Sequence, residues 1–92
     1  MEWLVLWWSL ATCVGRTRTP PPPTIVVRPQ RWITPADGCR VAKCWGVYNR
    51  DTHTIYVTYR SMEYGVDHEM IHALTRKPHR HPVWQRCDKE NR

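Results

Sequence analysis

The residues of this chain best suited to chemistry are His68, Glu69 and His72, which form the sequence His-Glu-Met-Ile-His. Residues four positions apart lie one above the other on a helix face, so both imidazoles can bind the same metal ion. Glu69 lies beside that face, where its carboxylate can accept a proton from a water molecule that the metal activates. The spacing therefore predicts a zinc site with an adjacent general base. The alternative is a polar helix face with two solvated histidines.

The strands that would position this helix are predicted from β-branched and aromatic runs. Residues 54–59, Thr-Ile-Tyr-Val-Thr-Tyr, are the clearest strand, and residues 25–27, Ile-Val-Val, are another. Residues 46–48 could pair with the start of the 54–59 strand as an antiparallel hairpin across a turn at 49–53. We therefore expect a short antiparallel sheet immediately before the metal-binding helix.

The helix itself is predicted from about residue 62 to residue 75, with Asp67 as an alternative start because Gly65 weakens the helical pattern locally. Ser61 is its expected N-cap, and Pro78 ends it because proline cannot continue a helix. The tail, residues 79–92, is expected to be a loop with one short turn around Trp84. The fold class that follows is α+β, with one active-site helix after a hairpin.

A strand that leads into a helix with this motif resembles the zincin metallopeptidases, especially the minimal SprT-like and small phage-associated members. In that group a third histidine follows the helix shortly before an aromatic residue. His81, three residues before Trp84, fits this pattern, and His79 is the alternate. The resemblance implies zinc as the cofactor, a peptide or protein as the substrate, and amide hydrolysis with Glu69 as the general base. It also implies that the strand at 54–59 borders the substrate cleft and can bind a peptide by strand addition.

Other parts of the zincin pattern are missing or open. The extended motif of the metzincins is absent, since Pro78 stands where its third histidine would be. Spacing does not identify a residue that stabilises the oxyanion. Tyr59, Tyr64 and His53 are the candidates for oxyanion or substrate contacts, although such residues are more often packed or solvated.

The first residues differ in composition from the rest. Residues 3–11 form an apolar run that is too short to span a membrane and is typical of a secretory signal. The run ends in Leu-Ala-Thr-Cys, which resembles the lipobox of bacterial lipoproteins and makes Cys13 a candidate for lipidation. An ordinary signal cut between residues 13 and 16 is the next interpretation, and an apolar helix packed on the domain is the third. The four prolines at 20–23 predict an extended linker.

These features predict three segments: a signal or lipobox-like segment at 1–15, a proline-rich linker at 16–23, and a minimal zincin-like domain at 24–92. The expected location is outside the cytoplasm, as a membrane-anchored lipoprotein or a periplasmic or extracellular protein of bacterial or phage origin. With Cys13 lipidated, a disulfide between Cys87 and either Cys39 or Cys44 is expected in an oxidising compartment. If Cys13 is neither lipidated nor removed, the four cysteines allow three pairings, and the sequence does not choose among them.

Charge and size limit the partners and the core. The net charge of +6 suits an anionic membrane or cell-envelope polymer, whereas the predicted export argues against nucleic acid. A domain this small, without phenylalanine, needs a metal, a disulfide or a partner for stability, and we expect a monomer. The alternative function is therefore a non-enzymatic, proline-rich envelope or phage lysis accessory lipoprotein, in which a zinc site is structural or incidental.

Overall fold

The computed structural model describes residues 2–88, apart from the side chains of Glu2, Glu63 and Tyr64. This part of the chain forms a small α+β domain with three α-helices and a three-stranded mixed sheet. A short 3₁₀ turn lies at Pro35–Asp37. In chain order the elements are α1 (Glu2–Cys13), β1 (Thr24–Arg28), β2 (Gly46–Asn49), β3 (Thr54–Thr58), α2 (Met62–Leu74) and α3 (Pro82–Cys87).

The sheet has the order β1-β3-β2. The predicted hairpin is confirmed: β2 runs antiparallel to β3, with Tyr48 opposite Ile55. β1 pairs with the other side of β3 in a parallel register, with Val26 opposite Tyr56. The expectation that residues 54–59 form an edge strand is therefore wrong, because β3 is the central strand and both its sides are paired. Among the described residues, β2 is the outermost strand on the hairpin side of the sheet.

The core lies between this sheet and the helices. α2 packs its apolar face on β3, and α1 packs against both α2 and α3. β3 is the central strand, and most of its side chains are buried in the core. The largest fully buried side chains are Trp7, Trp84, Ile55, Met70, Ile71, Val57 and Val66.

The N-terminal segment is part of this core. The side chains of Trp7 and Ala11 are fully buried and Leu10 is nearly so. The linker also lies on the domain: the indole of Trp7 donates a hydrogen bond to the carbonyl of Pro20 (2.7 Å), and His53 Nε2 lies 2.7 Å from the carbonyl of Pro21. In this structure α1 thus packs as the third interpretation expects, and it contributes apolar area that a domain of this size needs. The division into segments at 1–15, 16–23 and 24–92 stays a prediction.

Two disulfides join the cysteines in a pattern that the sequence did not predict. Cys13 pairs with Cys87, and Cys39 pairs with Cys44. The expected bond from Cys87 to Cys39 or Cys44 is therefore corrected. The packing of α1 on α3 brings Cys13 beside Cys87, with Cα atoms 5.8 Å apart. The sulfur of Cys13 cannot carry a lipid while it is in this bond. No helix in the described part of the chain has the length and apolarity needed to cross a membrane.

Candidate metal centre

The helix α2 presents two imidazoles to one side of the domain. Val66 and Met70 on its apolar face are buried against the sheet, which fixes the rotation of the helix. His68 and His72 are then partly exposed on the adjacent face, with ring centroids 4.9 Å apart. The predicted i, i+4 pair is therefore brought together by the packing of α2.

A third imidazole, that of His79, completes a cluster with these two. One ligand nitrogen from each of the three histidines lies within 4.8 Å of the others. The Nε2 atoms of His72 and His79 are 3.0 Å apart. Zinc binds histidine nitrogen at about 2.0–2.1 Å in tetrahedral geometry, which separates ligand nitrogens by roughly 3.3 Å. The three histidines could therefore hold a metal ion, and imidazole nitrogen is a ligand that zinc accepts.

His81, the third ligand expected from the resemblance, has a different role. Its Nδ1 accepts a hydrogen bond from the backbone N–H of Val83 (3.1 Å), so the side chain caps the N-terminus of α3. The reason is the tight turn after α2, in which the N–H of His81 donates to the carbonyl of Pro78 (2.8 Å). The alternate, His79, is the histidine that joins the cluster.

Trp84 supports all three histidines. Its ring centroid lies 4.6 Å from those of His72 and His79 and 4.7 Å from that of His68. The indole is almost completely buried and donates a hydrogen bond to the carbonyl of Lys77 (3.0 Å). Trp84 thus holds the segment that carries His79 against α2. The sequence pointed to an aromatic residue here, but not to this contact.

Asp88 is a functional candidate that the sequence analysis missed. Its carboxylate is fully buried and accepts a hydrogen bond from His68 Nδ1 (2.8 Å). This contact orients the ring and leaves Nε2 to bind a metal, as carboxylate–histidine pairs do in many zinc sites. Asp88 lies twenty residues after His68, so no local spacing signals the pair.

Glu69 lies in a buried pocket beneath β2. A Cβ atom at Gly46 would be only 3.4 Å from its Oε2, so the strand passes directly over the carboxylate. Burial raises the pKa of Glu69 to about 7, although the positive charge of His68 and a hydrogen bond from the Tyr48 backbone act in the opposite direction. A carboxylate with a pKa near neutrality is well suited to accept and return a proton.

The electrostatics of His72 favour the neutral, metal-binding form. Burial is the main cause that lowers its pKa to about 4, and the positive charges of His68 and His79 act in the same direction. Imidazole must be deprotonated to bind a metal. His72 is thus ready to bind zinc at neutral pH without first losing a proton.

The site opens into a broad cleft of about 1140 Å³, whose walls include Glu69, His72, His79 and Gly46. Of the three oxyanion candidates, Tyr59 and His53 have described side chains, and neither lines this cleft. Tyr59 follows β3, is 72% exposed, and is not among the residues that line the cleft. The side chain of Tyr64 lies outside the described part of the structure. His53 lies on the hairpin turn, where its Nδ1 is 2.7 Å from the hydroxyl of Tyr48.

Comparison of the chain with protein-family models, with curated proteins and with solved structures finds no match in any of the three.

Proposed function

We propose that this chain is a zinc-dependent peptidase of the minimal zincin kind. The observation that carries the proposal is the cluster of three histidine nitrogens within 4.8 Å of one another, with Glu69 next to it and a cleft in front of it. Three protein ligands and an open fourth position are typical of catalytic zinc sites, whereas structural sites usually have four protein ligands. The donor set therefore supports a catalytic role better than a structural one.

In this mechanism His68, His72 and His79 would hold the metal. Bound zinc supplies Lewis-acid chemistry, which activates water and polarises the substrate carbonyl. Glu69 accepts the proton of the attacking water and then donates it to the leaving amine nitrogen. Its buried position beneath β2 and its pKa of about 7 suit both steps. Asp88 is a positioning residue that keeps the ring of His68 in the metal-binding orientation.

The outer edge of β2, where the Tyr48 backbone binds Glu69, is the segment beside which an extended peptide would lie. β3 cannot take this role because it is paired on both sides. Gly46 on β2 is part of the cleft wall and lies against Glu69, so a strand added to this edge would pass close to the base. The substrate contact implied by the resemblance is thereby moved from β3 to β2.

For the cellular setting we propose an oxidising compartment outside the cytoplasm. Two disulfides in a domain of this size support it, because such bonds persist mainly in exported proteins. Because α1 packs into the core, the proposal includes that the mature, folded protein retains this helix. The apolar residues Leu4, Val5 and Trp8 are exposed on α1, and a contact with an anionic membrane or cell envelope would use this face together with the basic surface.

A structural zinc site in a non-enzymatic protein is the second candidate. The observation in its favour is that the three histidines and Trp84 tie α2 to the segment before α3, so a bound metal would also stabilise the fold. This role predicts zinc binding without hydrolysis. The exposed position of His79 and the open cleft argue for the catalytic role instead.

The experiment that separates the two is a comparison of Glu69→Gln and His72→Asn with the parent protein. We expect the parent to bind about one zinc ion and to cleave members of a broad peptide panel. Glu69→Gln should keep zinc and lose hydrolysis, whereas His72→Asn should lose both. Zinc content by mass spectrometry and peptide cleavage are the measurements. Hydrolysis that persists in Glu69→Gln would remove the proposed base, and zinc without any cleavage in the parent would establish the structural role.

A further inference from the structure

A second concavity, here called the aromatic groove, adjoins the metal centre. Its volume is about 420 Å³, and its walls include Arg31, Trp32, Trp45, Arg60 and His68. His68 belongs to both the groove and the histidine cluster. Trp45 directly precedes Gly46, which lies against Glu69. A ligand in this groove would thus lie next to the metal centre, with the His68 side chain between them.

Two tryptophans form one wall of the groove. Their rings are stacked, with centroids 5.9 Å apart and an interplanar angle of 21°. Trp45 is 62% exposed. Exposed large aromatic side chains on a small protein commonly mark a binding surface, because they offer rigid apolar area at little cost in conformational entropy.

Within the part of the chain whose side chains are described, the charged groups found at these rings are cationic. The guanidinium of Arg31 and the ammonium of Lys43 each lie 5.3 Å from the centroid of the Trp32 ring. Arg60 also lines the groove, and no carboxylate is among the described residues of its wall. Cations held close together repel one another, and an anionic ligand relieves this repulsion.

The hydroxyl groups in the groove are already engaged in the fold. Ser61 Oγ donates a hydrogen bond to the carbonyl of Trp45 (2.6 Å) and lies 2.8 Å from Thr58 Oγ1. These contacts fix the wall of the groove and leave its polar recognition to the cationic side chains. A ligand that depends on neutral hydrogen bonds, such as a sugar, would find few groups to bind.

We propose that the aromatic groove binds an acidic side chain of the peptide substrate, within a few residues of the bond that is cleaved. Glutamate or aspartate next to an apolar residue is the sequence that this combination of cations and aromatic surface recognises. The inference rests on the proposed peptidase function and gives it a substrate class. A nucleic-acid strand also combines anionic and stacking groups, but a groove of about 420 Å³ accommodates one or two side chains rather than a run of phosphates.

The test uses the zinc-loaded Glu69→Gln protein and two fluorescent peptides that differ only in Glu against Gln at positions near the centre. We expect the Glu peptide to bind about tenfold more tightly by fluorescence anisotropy, the effect of one charge-assisted contact, and to lose this advantage at high salt. Adding Arg60→Gln or Arg31→Gln should abolish the preference. Arg18→Gln, which removes an exposed cation in the linker, is the matched control and should leave it unchanged.

Separate results identify which proposal fails. Equal binding of the two peptides, or an effect of Arg18→Gln as large as that of Arg60→Gln, would overturn the groove assignment even if the parent protein hydrolyses peptides. A preference for the Glu peptide that depends on Arg60, without hydrolysis by the parent, would support the groove and remove the peptidase function. Tighter binding of a single-stranded oligonucleotide or a neutral oligosaccharide than of the Glu peptide would also overturn the inference.

Discussion

At the scale of single residues, Glu69 is held in a position that favours chemistry over stability. Burial makes its ionised form unfavourable, which is why its pKa is raised from 4.5 to about 7. An acid whose pKa is raised on folding stabilises the protein below its unfolded pKa, and this contribution is lost as the pH rises through the folded value. The metal-free protein therefore carries a destabilising carboxylate at neutral and alkaline pH.

We predict that Glu69→Gln stabilises the metal-free protein at pH 8. The gain in the free energy of unfolding should be on the order of 2–3 kcal/mol and should disappear near pH 4, where Glu69 is protonated in both states. His72 has the opposite pH dependence, because its pKa is lowered, but it is present in both proteins and cancels in the comparison. Urea unfolding of the two proteins at both pH values measures the difference. A variant less stable than the parent at pH 8 would contradict the assignment.

Asp88 is the residue that we expect to influence metal binding through the orientation of His68. We expect Asp88→Asn to lower the zinc affinity by about 10- to 100-fold, because the amide can no longer fix the orientation and tautomer of His68 as a carboxylate does. Competition with a zinc chelator measures the affinity. Asp51→Asn, at an exposed position in the hairpin turn, is the control and should bind zinc like the parent. Equal affinities for the two variants would show that Asp88 has no positioning role.

These residues also show what local sequence can reveal about the site. His68, Glu69 and His72 could be predicted because the helix alone determines their relative positions. The positions of His79 and Asp88 depend on how the chain reverses after Pro78 and on how α3 packs, which spacing along the sequence does not specify. A family pattern pointed to His81, but the turn directs that ring to the start of α3.

At the scale of elements, the segment between α2 and α3 contains two histidines with distinct roles. We predict that His79→Ala abolishes zinc binding with little effect on the metal-free fold, because the side chain is exposed. His81→Ala should retain zinc and reduce stability by about 1 kcal/mol, the usual cost of a lost N-cap. Zinc titration and thermal unfolding of both variants distinguish these roles. Loss of zinc in His81→Ala alone would reverse the assignment.

The elements themselves were predicted to different degrees. The hairpin of β2 with β3 and the helix α2 are confirmed, because each depends on contacts close in sequence. The parallel pairing of β1 with β3 was not predicted, since nothing in a run such as Ile-Val-Val specifies which strand it joins. Ser61 precedes α2 as expected, yet its hydroxyl binds Trp45 and Thr58 instead of capping the helix.

At the scale of the whole molecule, the first helix determines how the domain is closed. Its apolar composition led us to predict an export signal, whereas in the folded structure Trp7 and Leu10 lie inside the core. A short apolar run has the same sequence pattern in either role, so sequence alone left both interpretations open. The bond between Cys13 and Cys87 joins this helix to α3 and therefore encloses nearly the entire fold.

The two disulfides close loops of very different length, so their removal should reduce stability by different amounts. Removing a bond that closes a loop releases unfolded-chain entropy that grows with loop length, and the separations are 74 residues for Cys13–Cys87 and 5 for Cys39–Cys44. We expect the Cys13→Ser, Cys87→Ser double variant to lose about 4 kcal/mol and the Cys39→Ser, Cys44→Ser variant about 2 kcal/mol. Urea unfolding of zinc-free protein measures both losses.

The same pair of variants tests whether the closure extends to the metal centre. Cys87 directly precedes Asp88, so loosening the end of α3 should weaken the contact of Asp88 with His68 and lower the zinc affinity. The Cys39–Cys44 bond lies in the segment before β2 and should affect stability without a comparable change in zinc binding. Chelator competition on folded protein at low temperature gives this readout. If both double variants bind zinc equally well, the disulfide contributes to stability alone, and the geometry of the site is determined by α2 and Trp84.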